Sequence, residues 1–264
     1  MNKQERLFNY LKKLGSVAVA FSGGVDSVLV AKMAKEALGE RAVAITINTP
    51  YVPLSEIEDS IKFGKAIGIK HVFVELGIID EIKNNPQDRC YLCKKSLFNQ
   101  IKKEAQKLGI KNVIDGSNLD DQGEFRPGLK ALKELSIISP LKEIGFTKAE
   151  VRKLSKELNL ETYNKPSYAC LLTRIPHNEL LTEEKLKKIE KAEDFLHSKG
   201  LFAVRVRHHG DIARIEVARE IRNKLFNEDL LDLIDKKFKE IGYTYVTIDA
   251  FGYRTGEFSK KINN

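Results

Sequence analysis

Ser22-Gly23-Gly24-Val25-Asp26-Ser27 follows directly on the apolar run Val17-Ala18-Val19-Ala20-Phe21, and no other feature constrains the fold as much. The run reads as a buried strand, the hexapeptide as a turn, and Val28 to Leu38 recurs at helical spacing. A strand entering a helix through so tight a turn points to the α/β class with a parallel sheet. Two glycines let the backbone approach a phosphate without Cβ obstruction. The helix that follows offers unpaired N–H groups and the positive end of its dipole. Ser22 and Ser27 add hydroxyl donors. Asp26 would repel a phosphate unless a cation lay between them, which implies Mg2+. The loop lacks the Gly-Lys-Ser/Thr ending of a Walker A motif. A glycine-rich turn with a helix cap is the plain alternative.

The alternation continues through the first two-thirds of the chain. Strands are predicted near 17–21, 42–48, 71–75, 112–116 and 137–139. Helices are predicted near 27–38, 54–67, 94–108, 127–135 and 148–158. Ser55 with Glu58, and Thr147 with Glu150, have capping-box spacing. Helices of this length between strands imply right-handed crossovers, with ligands at the carboxyl ends of the strands. The loops there hold the unusual residues: Ser22–Ser27, Asn48–Pro53, the Cys90 region and Asp115–Gly128.

A linker is expected over Tyr163–Asn178, dividing a first domain, 1–178, from a small α+β domain, 179–264. In the second, Thr182 caps a long amphipathic helix to about Lys199. Val204–Arg207 and Ile212–Val217 alternate as a hairpin around His208–Asp211. A helix over about 219–241 and a strand over 243–250 follow. Val204, Val206, Ala213, Ile215 and Val217 are expected to pack inward. Arg205, Arg207, Arg214 and Glu216 then share the other face. Three arginines on one short face suit a phosphate or carboxylate clamp; a solvated face with a Glu216 ion pair is the alternative. His208 and His209 are expected to be exposed in the turn.

A formal net charge of +8 suits a phosphate-bearing substrate. It would also permit RNA, but the lysines are scattered over helices and no aromatic and basic stripe marks an RNA surface, so nucleic acid is not expected. No apolar run approaches the roughly 20 residues that span a bilayer. The first residues read as an amphipathic helix rather than a signal peptide, so a cytoplasmic protein is expected. Three cysteines argue against a disulfide framework. Cys90 and Cys93 form a C-x-x-C, and Cys170 stands alone in a proline-containing segment.

The hexapeptide resembles the pyrophosphate loop (PP-loop) of the N-type ATP pyrophosphatases, which cleave ATP to AMP and pyrophosphate. Further segments narrow the likeness: Arg89-Cys90-Tyr91-Leu92-Cys93-Lys94-Lys95, read as preceding a helix; Asp115-Gly116-Ser117-Asn118-Leu119-Asp120-Asp121; Arg126-Pro127-Gly128; and Pro166-Ser167-Tyr168-Ala169-Cys170-Leu171-Leu172-Thr173-Arg174-Ile175-Pro176. With the arginine hairpin, these resemble the LarE family along essentially the whole chain. LarE proteins are ATP-dependent sulfur transferases that make the thiocarboxylated pyridinium mononucleotide of the nickel-pincer cofactor.

The resemblance implies an adenine nucleotide alpha hydrolase-like domain. It implies adenylation of a carboxylate of pyridinium-3,5-dicarboxylate mononucleotide, then displacement of AMP by sulfur. Ser22, Gly23, Gly24, Asp26 and Ser27 would bind ATP. Arg205, Arg207 and Glu216 would bind substrate phosphate and ribose, and Arg174 would hold substrate or a developing oxyanion. In single-cysteine members the sulfur comes from a cysteine matching Cys170, which is left as dehydroalanine. Here Cys90 and Cys93 are added. Three thiolates suit a [4Fe–4S] cluster with one open iron carrying sulfide from an external source. Zinc with His177, three inert thiols, and a sacrificial Cys170 without metal, with Cys90 and Cys93 as a redox pair, are the alternatives. A homo-oligomer is expected. A tRNA thiolase is the runner-up function, and a non-catalytic nucleotide-binding regulator a third.

Overall fold

The structure, a computed structural model, describes residues 1–123 and 127–253. Arg126 of the Arg126-Pro127-Gly128 segment lies outside these residues. The chain divides into two compact units, one of Met1–Glu81 with Asp88–Tyr168, the other of Ile82–Gln87 with Ala169 onward.

The first unit runs α1 (Lys3–Leu14), β1 (Val17–Ala20), α2 (Val25–Leu38), β2 (Ala42–Asn48), α3 (Leu54–Ile67), β3 (Lys70–Glu75), α4 (Arg89–Lys107), β4 (Asn112–Ile114), α5 (Pro127–Glu134), α6 (Pro140–Ile144) and α7 (Lys148–Glu157). The four strands form a parallel sheet in the order β3-β2-β1-β4. Apolar residues cover both faces of this sheet, as parallel strands require. Val17 and Val19 of β1 join Leu7, Leu11, Leu29 and Val151 in one core. Ala18 turns to the opposite face, with Val43, Ile45, Phe98 and Ile101. Thr147 and Glu150 form their capping box at the start of α7.

Three local expectations are corrected. The fifth strand near 137–139 reduces to one parallel bridge, Ile114 to Ile138. Pro140, at the first turn of α6, ends it by removing the next N–H donor. The Ser55 capping box does not form: α3 begins at Leu54 after Pro53, which puts Ser55 inside the helix, with no side-chain cap. And α4 begins at Arg89, not 94, so Cys90 and Cys93 lie within the helix rather than before it. No glycine or proline separates Pro86 from Gly109, so the helix runs back to Arg89.

The second unit contains α8 (Glu183–Ser198), β5 (Val204–His209), β6 (Ile212–Val217), α9 (Glu228–Ile241) and β7 (Tyr245–Ile248). Thr182 caps α8 through its side chain. The β5–β6 hairpin is antiparallel and β7 joins β6 in parallel, α9 making the crossover. Residues 219–225 form a 3-10 stretch separate from α9. Val204, Val206, Ala213, Ile215 and Val217 are buried with Leu196, Ile234 and Phe238 in the unit's core. The 82–87 segment docks through Asn85, whose buried amide donates to the carbonyls of Ile175 (2.9 Å) and Pro176 (2.8 Å).

Candidate active site

The phosphate loop sits at the carboxyl end of β1, where α2 begins. Gly23 has φ of +72°, and a Cβ there would lie 3.0 Å from the Ser60 backbone nitrogen. Only glycine satisfies both the left-handed backbone and this approach to α3. Gly24 occupies the N-cap of α2 and brings no side-chain cap, so the helix's first N–H groups keep their anion-binding capacity. The loop is held from within. Ser27 Oγ donates to the Gly24 carbonyl at 3.0 Å and lies 3.2 Å from Ser22 Oγ.

The loop after β4 closes on the same helix turn. A Cβ on Gly116 would come within 2.8 Å of the Ser27 backbone nitrogen. Asp115 is buried and accepts from Ser117 Oγ (2.5 Å) and Ser139 Oγ (2.7 Å), which fixes that loop. Asn118 Nδ2 then donates to Asp26 Oδ1 at 3.1 Å. The other Asp26 oxygen pairs with the ammonium of Lys148, from the start of α7. On the α3 side, the Lys165 ammonium pairs with Glu56 (3.0 Å) and Asp59 (2.6 Å) and lies 3.5 Å from the Gly23 carbonyl.

Behind the loop, Thr46 Oγ1 donates to the Phe21 carbonyl at 2.6 Å and lies 2.7 Å from His71 Nε2. The threonine proton is committed to Phe21, so His71 is the donor and carries its proton on Nε2. A Cβ on Gly64 would stand 2.6 Å from His71 Nδ1. Burial pushes the imidazole pKa down to about 4.

Cys90 is exposed and Cys93 half-buried, neither of them in a disulfide, three residues apart on one face of α4. Cys93 Sγ lies 3.5 Å from Tyr51 Oη, in the loop after β2. Tyr91 Oη donates to Glu134 at 2.7 Å and ties α4 to α5.

In the second unit, Cys170 is a half-buried thiol, not in a disulfide, before a 3-10 turn over Leu171–Arg174. Arg174 is 1% exposed. Its guanidinium makes a two-bond pair with Glu193 of α8, both contacts 3.0 Å. It also donates to the carbonyls of Ala169 (2.7 Å) and Cys170 (3.1 Å) and to Thr173 Oγ1 (2.9 Å). Glu193 Oε1 in turn accepts from the Val206 backbone N–H on β5 at 2.8 Å.

Arg205, Arg207, Arg214 and Glu216 share the polar face of the hairpin, with Arg205 opposite Glu216 and Arg207 opposite Arg214. The face is not freely solvated: Arg205 and Glu216 are buried. Glu216 bridges Arg207 (2.7 Å) and Arg214 (2.9 Å). Arg207 also donates to the Thr173 carbonyl, which joins this face to the Cys170 turn. The Arg205 guanidinium stacks 4.8 Å from the Tyr253 ring. His208 is buried against Tyr243, contrary to the expectation of an exposed turn residue, because both histidines lie in β5 and alternation turns His208 inward. His177 Nδ1 lies 3.3 Å from the Asn85 carbonyl.

No motif marks Lys148, Lys165 or Glu193. Glu193 does carry a signal: it falls in phase with Leu186, Ile189 and Leu196 on the apolar face of α8, where a carboxylate needs a buried partner. Among the described residues, no three His, Cys, Asp or Glu side chains are gathered to hold a metal ion. None of the described helices is long and apolar enough to cross a membrane.

Similarity to known proteins agrees with this geometry. The NAD synthase family model matches residues 2–114. An uncharacterized protein of Synechocystis sp. is 39% identical over 99% of this chain and 98% of its own length. An uncharacterized protein of Methanocaldococcus jannaschii is 36% identical over 97% of this chain and 98% of its own. The pyridinium-3,5-bisthiocarboxylic acid mononucleotide synthase of Lactiplantibacillus plantarum is 36% identical over 98% of this chain and 95% of its own. Identity at that level, end to end in both chains, makes this protein a member of the LarE family, to which that synthase belongs.

Proposed function

We propose that this protein is an ATP-dependent sulfur transferase. It adenylates a carboxylate of pyridinium-3,5-dicarboxylate mononucleotide, releases pyrophosphate, and exchanges AMP for sulfur to form the thiocarboxylate. The carrying observation is the Ser22–Ser27 loop: a positive-φ glycine, an uncapped helix N-terminus and two serine hydroxyls facing one another, in a chain of this family. Backbone N–H groups there receive the phosphates, and α2 supplies partial positive charge where the pyrophosphate leaves.

Asp26 and Ser27 present a carboxylate and a hydroxyl at one helix turn, an oxygen donor set that suits Mg2+. When bound, that ion would offset the charge of the leaving phosphates. Arg174 supports the sulfur step by position: its bonds to the Ala169 and Cys170 carbonyls orient the Cys170 thiol. Arg205, Arg207 and Glu216 offer a guanidinium pair and a carboxylate for the phosphate and ribose of the mononucleotide. The three-cysteine pattern supports a [4Fe–4S] cluster on Cys90, Cys93 and Cys170. The described residues bring no three such ligands together. A cytoplasmic setting, an external sulfide source and a homo-oligomer complete the proposal.

The test is product identity. Purified protein with ATP, Mg2+ and the dicarboxylate mononucleotide should give AMP and pyrophosphate. Asp26→Asn and Ser27→Ala should abolish that release while the protein stays folded by circular dichroism. Appearance of ADP would refute the assignment.

A further inference from the structure

The phosphate loop leaves the sheet at the Phe21–Ser22 peptide, and a side chain rather than the strand ladder takes its carbonyl. β1 pairs with β2 as far as Ala20 and Ile45, and the Phe21 N–H still donates to the Ile45 carbonyl at 2.9 Å. The Phe21 carbonyl then accepts from Thr46 Oγ1, buried on β2, at 2.6 Å. A trans peptide points its N–H opposite to its C=O, so this bond also aims the Ser22 N–H. That N–H turns into the loop, 3.3 Å from Ser27 Oγ. Ser27 Oγ in turn donates to the carbonyl of Gly24, the N-cap of α2. At the other end, His71 Nε2 donates to Thr46 Oγ1 at 2.7 Å. A carbonyl only accepts and a backbone N–H only donates, so the series has one direction: His71, Thr46, the Phe21–Ser22 peptide, Ser27, Gly24. The ring at its head is held on three sides. Phe21 meets it edge-on at 5.1 Å, Phe73 lies 4.1 Å away, and α3 passes it at Gly64, where a Cβ would not fit.

We propose that Thr46 and His71 are positioning residues of the phosphate loop. They act through the Phe21–Ser22 peptide, whose plane they lock, and not on the nucleotide. This rests on the ATP pyrophosphatase reading above. A loop that receives phosphates through backbone N–H groups binds well only if those groups already point inward, since reorienting them on binding costs affinity. Glycine gives this backbone its freedom at Gly23 and so leaves its orientation unset. The bond from β2 sets it. Threonine suits the task because a β-branched side chain has few χ1 choices. His71 removes the remaining freedom: by donating to Thr46 Oγ1 it leaves the hydroxyl proton directed at Phe21. Hydrogen bonds in such a series polarise and strengthen one another.

Calorimetric titration of the full chain with ATP and Mg2+ tests the proposal, with the dicarboxylate mononucleotide as comparison ligand. Thr46→Val keeps the shape of the side chain and loses the hydroxyl. It should weaken ATP binding about 5- to 10-fold, the equivalent of one hydrogen bond. Mononucleotide binding should stay within about twofold, which general damage to the fold would not allow. Thr46→Ser restores the hydroxyl and should return ATP affinity to within about threefold of wild type. Because His71 acts through Thr46, His71→Leu should cost ATP affinity alone and add nothing on the Thr46→Val background. Wild-type ATP affinity in Thr46→Val, equal weakening of both ligands, no recovery in Thr46→Ser, or additive losses in the double variant overturns the proposal. If Thr46→Val melts early, His71→Gln against His71→Leu replaces it. Glutamine keeps a donor for Thr46 and should bind ATP at least about threefold tighter than leucine; equal affinity there also overturns the proposal. Failure of the wild type to bind ATP at all would instead sink the pyrophosphatase reading.

Discussion

Glu193 receives both parallel bonds of the Arg174 guanidinium, at 3.0 Å each, and the two side chains are 1% or less exposed. The pair connects three elements. Arg174 grips the carbonyls around Cys170, while Glu193 binds the Val206 N–H on β5. Breaking a buried pair from one side leaves an uncompensated charge, so Glu193→Gln should destabilise the protein by about 3–5 kcal/mol. Urea unfolding checks this. A midpoint unchanged from wild type would show that Arg174 is not supported from α8.

Arg207 connects the hairpin to the Cys170 turn through the Thr173 carbonyl and to Glu216 through an ion pair. Arg207→Ala should weaken binding of the pyridinium mononucleotide by about 1.5–3 kcal/mol. ATP binding should change much less. Calorimetry with each ligand decides, and equal weakening of both, or of neither, argues against a phosphate clamp.

The source of sulfur is read from mass. If Cys170 is the donor, protein recovered after reaction should be lighter by one hydrogen sulfide at Cys170. Product should then stop at one per chain. If sulfide is carried by a cluster, mass is retained, product exceeds enzyme when sulfide is supplied, and Cys90→Ala or Cys93→Ala abolishes turnover. Iron and sulfide analysis of anaerobically purified protein gives a separate reading.

His71 is neutral in the fold, with its pKa pushed down to about 4 by burial, against an ordinary value of 6.5. Between those values the unfolded chain binds a proton that the folded chain refuses. The stabilisation by neutral His71 is therefore full above about pH 6.5 and is lost as pH falls toward 4. The slope is at most about 1.4 kcal/mol per pH unit, and less because solvent screens a half-buried ring. His71→Gln, which keeps a donor for Thr46, should flatten this limb in urea titrations across that range. An unchanged acid limb would mean another group causes it.

The parts of this protein legible in its sequence are those determined locally. The Ser22–Ser27 turn follows from glycine backbone freedom and from the strand and helix it joins. The Arg205, Arg207, Arg214 and Glu216 face follows from two-residue alternation, and the Thr147 box from a three-residue spacing. Each needs only neighbours in the chain. The start of α4 is less legible because nothing in Arg89–Lys95 forbids a helix, and a cysteine pair reads the same in a loop or a turn. The burial of His208 escapes the sequence because a hairpin's turn can shift by two residues without altering the pattern that surrounds it. Only tertiary structure joins Lys148 to Asp26, Lys165 to Glu56 and Asp59, and Arg174 to Glu193. Partners far apart in sequence leave no period or spacing to read. Their pairing is decided when strand order and helix packing bring charges together that would be too costly to bury alone.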